Sequence, residues 1–417
     1  MSVGHRNPAS AVVIGAGIVG LSVAWFLQER GVQVTVVERG VPGRGSSWGN
    51  AGWLSPGLAV PLPEPAVLRY GLRSLLDRTS ALYVPPSLDP ALWAFLARFA
   101  RHCTIGHWKA AMRGYLGVND AALAAYDRLA AAGVSAETVK APVIAAFRNR
   151  SEAAGLRREL EMMAAAGQHL ETVELDEAAA RDAAPQLSWR IGYALELLGQ
   201  RYIDPGQFVA SLATAVVDRG GTMRAGFEVT DVASRFGGGI TVSGADEQIS
   251  ADVAVLATGA WLSRLATRVG VRVAVRAGRG YSFGVRTVQA VPCPVYFPLP
   301  RVACTPYQGG LRIGGTMEFA SADDPAHSGR LEALLSSAQP LLTGVDWDSI
   351  SGTWVGSRPI TPDGMALIGA TDHPGVFVAG GHGMWGVTLG PITGQLLAEQ
   401  IVTGIAPEAL APFDPRR

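Results

Sequence analysis

Residues 11–40 read AVVIGAGIVGLSVAWFLQERGVQVTVVERG. Gly15, Gly17 and Gly20 follow an apolar run, and an acid, Glu38, closes the stretch. The run 11–14 reads as a strand. Gly15 allows a tight turn, Gly17 lets a pyrophosphate approach the backbone, and Gly20 lets the next helix pack close to a sheet. LSVAWFLQERG is that helix, with Gly31 closing its C-terminal end. VQVTVVE, 32–38, is the second strand, and Glu38 at its end can accept hydrogen bonds from a ribose. The pyrophosphate belongs at the helix N-terminus, where N–H groups point outward. Glycines alone are weak evidence. Glycines set between two strands, with a terminal acid, define a dinucleotide-binding unit.

The pattern returns twice. In ADVAVLATGAWLSRLA, 251–266, an apolar strand runs into Ala257-Thr258-Gly259 and a helix. In GVFVAGGHGMWGVTLGPITGQLLAEQI, 375–401, a strand meets a glycine-rich turn and another helix. One nucleotide fold built from three separated pieces suits a flavin enzyme that encloses a long cofactor better than a simple NAD dehydrogenase.

With these motifs in hand, the chain resembles the FAD-dependent D-amino-acid oxidase and glycine oxidase superfamily, and within it most nearly the D-amino-acid dehydrogenase (small subunit) branch. The resemblance rests on GAGIVG (15–20), SSWGNAGWLSPG (46–57), ATGAW (257–261), GLRIGGTMEF (310–319), WVGSRPITPDG (354–364) and AGGHGMWGVTLGP (379–391). It implies an α/β fold: a Rossmann-like FAD-binding domain assembled from discontinuous segments, and an α+β substrate domain on a mixed or antiparallel sheet. The expected division gives 8–60, 150–270 and 350–410 to the first and 61–149 and 271–349 to the second.

The resemblance also implies site residues. FAD contacts fall on Gly15, Ala16, Gly17, Ile18, Val19 and Gly20; on Glu38 and Arg39; and on Ser46, Ser47, Asn50, Ala51, Gly52 and Leu54 of the glycine- and serine-rich loop. Val229 is expected at the adenine side, followed by Ala257, Thr258, Gly259 and Trp261. The late turn adds Gly381, Gly383, Met384, Trp385, Gly386, Val387 and Thr388, whose N–H groups would face the flavin ring. Attachment is expected to be non-covalent, because none of the cysteines falls in the 46–52 or 379–390 turns.

The implied reaction is oxidative deamination of an amino acid, of D configuration, to the 2-oxo acid and ammonia through an imino acid, by hydride transfer to flavin N5. Electrons would pass to a quinone or another carrier. An oxygen-using amino-acid, proline or secondary-amine oxidase, and a non-enzymatic flavoprotein, are the competing readings. Such chemistry needs a cation to clamp the carboxylate, and arginine's planar fork matches two oxygens. Arg358, held outside a helix by Pro359, is the first candidate. Tyr281 is expected to hydrogen-bond the same carboxylate, and Tyr307 to line the entrance. Arg312 is a second cation whose direction strand alternation leaves undecided. His382 reads as a structural or flavin-adjacent residue rather than a general base. Met384 and Trp385 leave room for apolar contacts beside the ring.

Composition bounds the rest. The chain has 417 residues, 48% of them hydrophobic, enough for more than one domain. Basic and acidic residues number 35 each, so nothing suggests a grip on nucleic acid. Cys103, Cys293 and Cys304 form neither a disulfide framework nor a metal cluster; no metal is expected, and a reducing cytoplasmic setting is. The leading residues carry no apolar signal run, and no uncharged stretch reaches the roughly 18 residues of a membrane span. LRYGLRSLL and LWAFLARFARHCTIGHWKAAMRGYL, within 66–118, read as two or three helices, with further helices at 119–132 and 152–167. Their arginine–aromatic alternation suits a packed face or, as an alternative, a peripheral contact with a bilayer.

Overall fold

The computed structural model describes residues 7–74 and 80–417; the leading residues and the end of the LRYGLRSLL helix lie outside the described residues. Two sheets organise the chain. The first has six strands in the order Thr222–Ala225, Gln33–Glu38, Ser10–Ile14, Val253–Leu256, Val376–Gly380 and Leu367–Ala370. The first five run parallel and the last is antiparallel. Side chains alternate across it. Ala11 and Val13 face a core built with helices Ile18–Glu29, Ile105–Ala131, Pro205–Asp218 and Gly386–Thr403. Val12 and Ile14 face a second core closed by a three-stranded antiparallel sheet within 231–251. Burial on both faces explains why these strands read as unbroken apolar runs.

The second sheet is larger and mixed. Its main path runs Val345–Ile360, Arg276–Thr287, Gly310–Glu318, Val302–Tyr307, Val295–Phe297, Val143–Phe147, Tyr193–Leu197 and Thr172–Asp176, with Leu82–Tyr83 beside Gly310–Glu318. Val295–Phe297 runs parallel to Val143–Phe147, and the other pairs on the path are antiparallel. The strands within 172–197 and the strand Val345–Ile360 belong to this sheet, whereas the expected division assigned 172–197 and the part of that strand from residue 350 onward to the nucleotide-binding segments. Tyr281, Phe283 and Val285 point to a core under helix Ser328–Ala338. The opposite face turns toward the first sheet.

Asp204 caps helix Pro205–Asp218, its carboxylate accepting from Gly206 N and Gln207 N. Gly31, at φ 80°, follows helix Ile18–Glu29. One boundary moves: the two helices expected before and after residue 118 are a single helix, Ile105–Ala131. A Cβ on its Gly114 would lie 2.8 Å from Pro412 Cβ and 3.0 Å from Met365 Cε, so the glycine is a packing contact.

Candidate FAD and carboxylate site

A cavity of about 360 Å³ opens along the carboxyl ends of the parallel strands, where open α/β sheets bind ligands. It runs from Glu38, Glu228 and Val229, past Gly15, Gly17, Ile18 and Val19, to Arg358, Gly383 and Met384. Gly15 adopts φ 110°, and a Cβ on Gly20 would lie 2.0 Å from the Gly15 carbonyl oxygen. The turn and the helix can thus close on each other only with glycine at both positions. The N-cap of helix Ile18–Glu29 is Gly17, which has no side chain to offer, and Gly17, Ile18 and Val19 lie on the cavity wall. Glu38 Oε2 accepts from Ala16 N at 3.0 Å and Oε1 from Gly40 N at 3.0 Å, which fixes the carboxylate at the strand end.

Loop and late turn converge from the other side. Ser47 Oγ accepts from Ile18 N at 3.2 Å, and Ser46 Oγ donates to the Ser357 carbonyl. Gly383 N donates to Pro359 O at 3.0 Å. Both segments therefore dock on the strand that carries Arg358. Helix Gly386–Thr403 also begins without a side-chain cap, with Gly386 and Val387 on the cavity wall.

Arg358 is half-buried and lines the cavity. Its Nη1 donates to Thr316 O at 2.7 Å. Thr316 sits in a bulge of strand Gly310–Glu318 at φ 60°, a strained setting for a β-branched residue that aims its carbonyl at the guanidinium. A Cβ on Gly280 would lie 2.3 Å from Arg358 Nη2, so the guanidinium rests flat on bare backbone. Among the described residues no carboxylate pairs with Arg358. Burial lowers its pKa to about 10, so the group stays charged at neutral pH. A half-buried, charged fork without a carboxylate partner among the described residues is suited to receive a carboxylate.

Tyr281 does not join it. Gly280 and Tyr281 are neighbours on one strand, so their side directions oppose. The Tyr281 hydroxyl donates to Glu318 Oε2 at 2.7 Å and accepts from His327 N at 3.2 Å, on the far face. Burial raises its pKa further from neutrality. Tyr307 lies under the Arg312 guanidinium, 4.0 Å from ring centre, and does not line the cavity. Arg312 shares the Arg358 face, opposite Gly284, but its Nη1 donates to Ser282 Oγ at 3.3 Å and it is 3% exposed. His382 reaches the cavity, yet its Nε2 pairs with Thr393 Oγ1 at 2.9 Å and burial lowers its pKa to about 4. It is neutral near pH 7 and a poor base there.

Of the expected cofactor residues, Gly15, Gly17, Ile18, Val19, Glu38, Arg39, Ser46, Ser47, Asn50, Val229, Ala257, Thr258, Gly259, Trp261, Gly383, Met384, Gly386 and Val387 line the cavity. Ala16 and Gly20 act behind the turn. Ala51, Gly52, Leu54, Gly381, Trp385 and Thr388 stand outside the wall: Leu54 is a buried strand residue, Trp385 Nε1 donates to Val60 O, and Thr388 Oγ1 donates to Trp53 O. Arg44, Arg264 and Gly280 were missed. Arg44, four residues past Gly40, carried a signal in its glycine-rich loop; Arg264 and Gly280 carried none.

The lining fits FAD. Two helix N-termini on the wall and three cations, Arg39, Arg44 and Arg264, suit a pyrophosphate and an electron-rich ring. Thr258 Oγ1 lies buried on the wall without a hydrogen-bond partner. None of the three cysteines lines the cavity, and all are buried, free thiols.

Fold and cavity together define a flavin-type α/β oxidoreductase. The chain matches the family described as FAD dependent oxidoreductase (DAO) over residues 10–400, and it belongs to that family. It is 32% identical over 414 residues to a D-amino acid dehydrogenase of Methylobacterium radiotolerans, covering 95% of this chain and 96% of that one. A D-amino acid dehydrogenase of Vibrio vulnificus is 28% identical over 411 residues, covering 97% and 98%. Among solved structures, glycine oxidase from Geobacillus kaustophilus superposes with TM-score 0.74 at 24% identity over 99% of both chains. Iminodiacetate oxidase from Chelativorans sp. BNC1 gives 0.69 at 21%, over 97% of this chain and 98% of that chain. These last two likenesses show a shared fold.

Proposed function

We propose that the protein is an FAD-dependent amino-acid dehydrogenase that oxidatively deaminates a D-amino acid and passes the electrons to a quinone or another carrier. Arg358, charged in the cavity without a carboxylate partner, carries the reading. When bound, non-covalently, FAD supplies the acceptor for the hydride of the α-carbon. The chain's own residues bind and orient. Arg358 grips the carboxylate, and the glycine floor at Gly280 keeps its fork in one plane. The amine must arrive neutral or lose its proton to water, because neither His382 nor Tyr281 is placed or poised to take it. Met384 gives the substrate side chain an apolar contact.

The dehydrogenase reading draws on the named relatives, and a peripheral site on the cytoplasmic face of the membrane goes with it. No helix of the described residues is long and apolar enough to cross a membrane. Leu88, Trp93, Arg98 and Arg101 are all exposed within one stretch of chain, and residues 90–119 contain no Asp or Glu.

The test is anaerobic mixing with D- and L-amino acids while following the oxidised flavin band, then turnover with a quinone analogue against peroxide formation in air. Bleaching by D-amino acids and faster dye than peroxide turnover is expected. Peroxide at the same rate as dye reduction favours the oxidase reading; no bleaching by any amino acid or amine rejects the enzyme.

A further inference from the structure

The segment 319–327 follows a strand of the large sheet, linking Gly310–Glu318 to helix Ser328–Ala338, yet it contacts side chains that line the cavity of the other sheet. Its base is pinned. Arg279 Nη2 donates to Asp324 O and to Pro325 O, each at 2.8 Å, and Ser357 Oγ donates to Ala322 O at 3.4 Å. From this base Asp323 extends across. Its Oδ1 accepts from Trp261 Nε1 at 2.8 Å, its Oδ2 from Arg264 Nη2, and Arg39 Nη1 lies 3.7 Å from Oδ1. Arg39 also stacks over the Trp261 ring at 3.9 Å.

Trp261, Arg264 and Arg39 all line the cavity, and they come from two segments of the nucleotide-binding half. Asp323 does not line it. All three charged side chains are partly exposed, which puts the cluster where the cavity meets solvent. Desolvation acts to raise the Asp323 pKa; Trp261 N–H, Arg264 and Arg39 outweigh it and hold the carboxyl below its ordinary value. The acid is charged at neutral pH.

We infer that Asp323 is a positioning residue for cofactor retention: it gathers Trp261, Arg264 and Arg39 into one wall at the cavity mouth and so couples release of the dinucleotide to the loop of the other sheet. The inference rests on the FAD reading. It opposes the simple electrostatic expectation. FAD is an anion, and a carboxylate near its site should repel it, so removing Asp323 should tighten binding. A clasp predicts the reverse, because two guanidinia and an indole lose their common anchor.

The experiment strips FAD from the protein and follows its uptake and release by flavin fluorescence, in wild type, Asp323→Ala, Asp323→Asn, Arg264→Ala and the double variant Asp323→Ala/Arg264→Ala. Exposed ion pairs contribute little, and hydrogen bonds to charged groups more, so Asp323→Ala should speed FAD release on the order of tenfold. Asn keeps an acceptor for the indole N–H and should fall between. The double variant should speed FAD release by less than the product of the two single effects, because both variants break the Asp323–Arg264 contact; a full product overturns the coupling. Melting of the stripped protein should not change, since Asp323 has no core partner. Release that is unchanged or slower in Asp323→Ala overturns the clasp, as does a matching fall in the stripped protein's Tm. A wild type that takes up no flavin removes the cofactor reading itself, and the clasp with it.

Discussion

Strand Arg276–Thr287 serves two arginines in opposite ways. On one face, its own Arg279 is 2% exposed, lies 3.5 Å from Glu318 Oε2, and donates to two loop carbonyls. On the other, Gly280 clears space for Arg358, which among the described residues has one carbonyl partner and no acid. Both are cations withdrawn from solvent, Arg279 fully and Arg358 in part. In one the fold supplies partners for both terminal nitrogens, with only Nε left unpaired; the other keeps donors for something the fold does not supply. Burial of an arginine thus says little about function until its partners are counted.

The contrast can be broken most forcefully at Arg279. Arg279→Ala leaves Glu318 buried without its cation, which should cost about 3–5 kcal/mol of stability. Denaturant unfolding measures it, and a variant as stable as wild type would show that the pair is not structural. Arg358→Ala should do the converse: keep the fold and the flavin, and lose about 2–5 kcal/mol of substrate binding, roughly 30- to 3000-fold in anaerobic flavin-reduction efficiency. Arg358→Lys should be intermediate, because it keeps charge without the fork. A plain amine should be a poor substrate throughout and suffer much less from the change. Equal losses for both substrate types would mean that Arg358 props the pocket instead of gripping a carboxylate.

Gly280→Ala sharpens the comparison. The added methyl would displace the guanidinium by steric conflict, at about 1–3 kcal/mol, and should raise KM for carboxylated substrates while leaving the FAD spectrum unchanged. An unaltered KM would detach Gly280 from the clamp. The smallest effect concerns His382. Its folded pKa, about 4, lies below the unfolded value, so the unfolded chain binds the extra proton first. Stability is then fully present above the unfolded pKa and is lost as pH falls toward 4. Between pH 7.5 and 5.5 this amounts to about 1 kcal/mol. His382→Asn should flatten that part of the Tm–pH curve; an identical curve would place the titration elsewhere.

What could be read in advance follows physical lines. The opening βαβ unit was legible because its cues are local: apolar runs, glycines and a terminal acid within thirty residues. Arg358 was legible through its motif and the proline that follows. Tyr281 was not, because a shift of one residue in register sends a strand side chain to the other face. Nothing near RGYSF reveals the register, which the pairing with strands Gly310–Glu318 and Val345–Ile360 sets. Arg312 posed the same problem; pairing with Gly284 puts it on the Arg358 face, though committed to Ser282 and Tyr307. The Thr316 bulge and the Asp323 reach depend on contacts between distant segments and left no sequence pattern.

The interleaving of the first sheet also has a temporal consequence. Strand Ser10–Ile14 is made first, but its second neighbour, Val253–Leu256, follows far later; the bond from Ser10 N to Asp252 spans 242 residues. The remaining strands, Val376–Gly380 and Leu367–Ala370, come later still. Synthesised at ~5–20 residues per second, the nascent chain carries an unpaired apolar strand edge for tens of seconds. Such an edge invites pairing with other chains. Closing so long a loop costs entropy before any contact rewards it. Cofactor capture is therefore a late event in the life of the chain, and a ribosome stalled before residue 376 should display a polypeptide that recruits chaperones and holds no flavin.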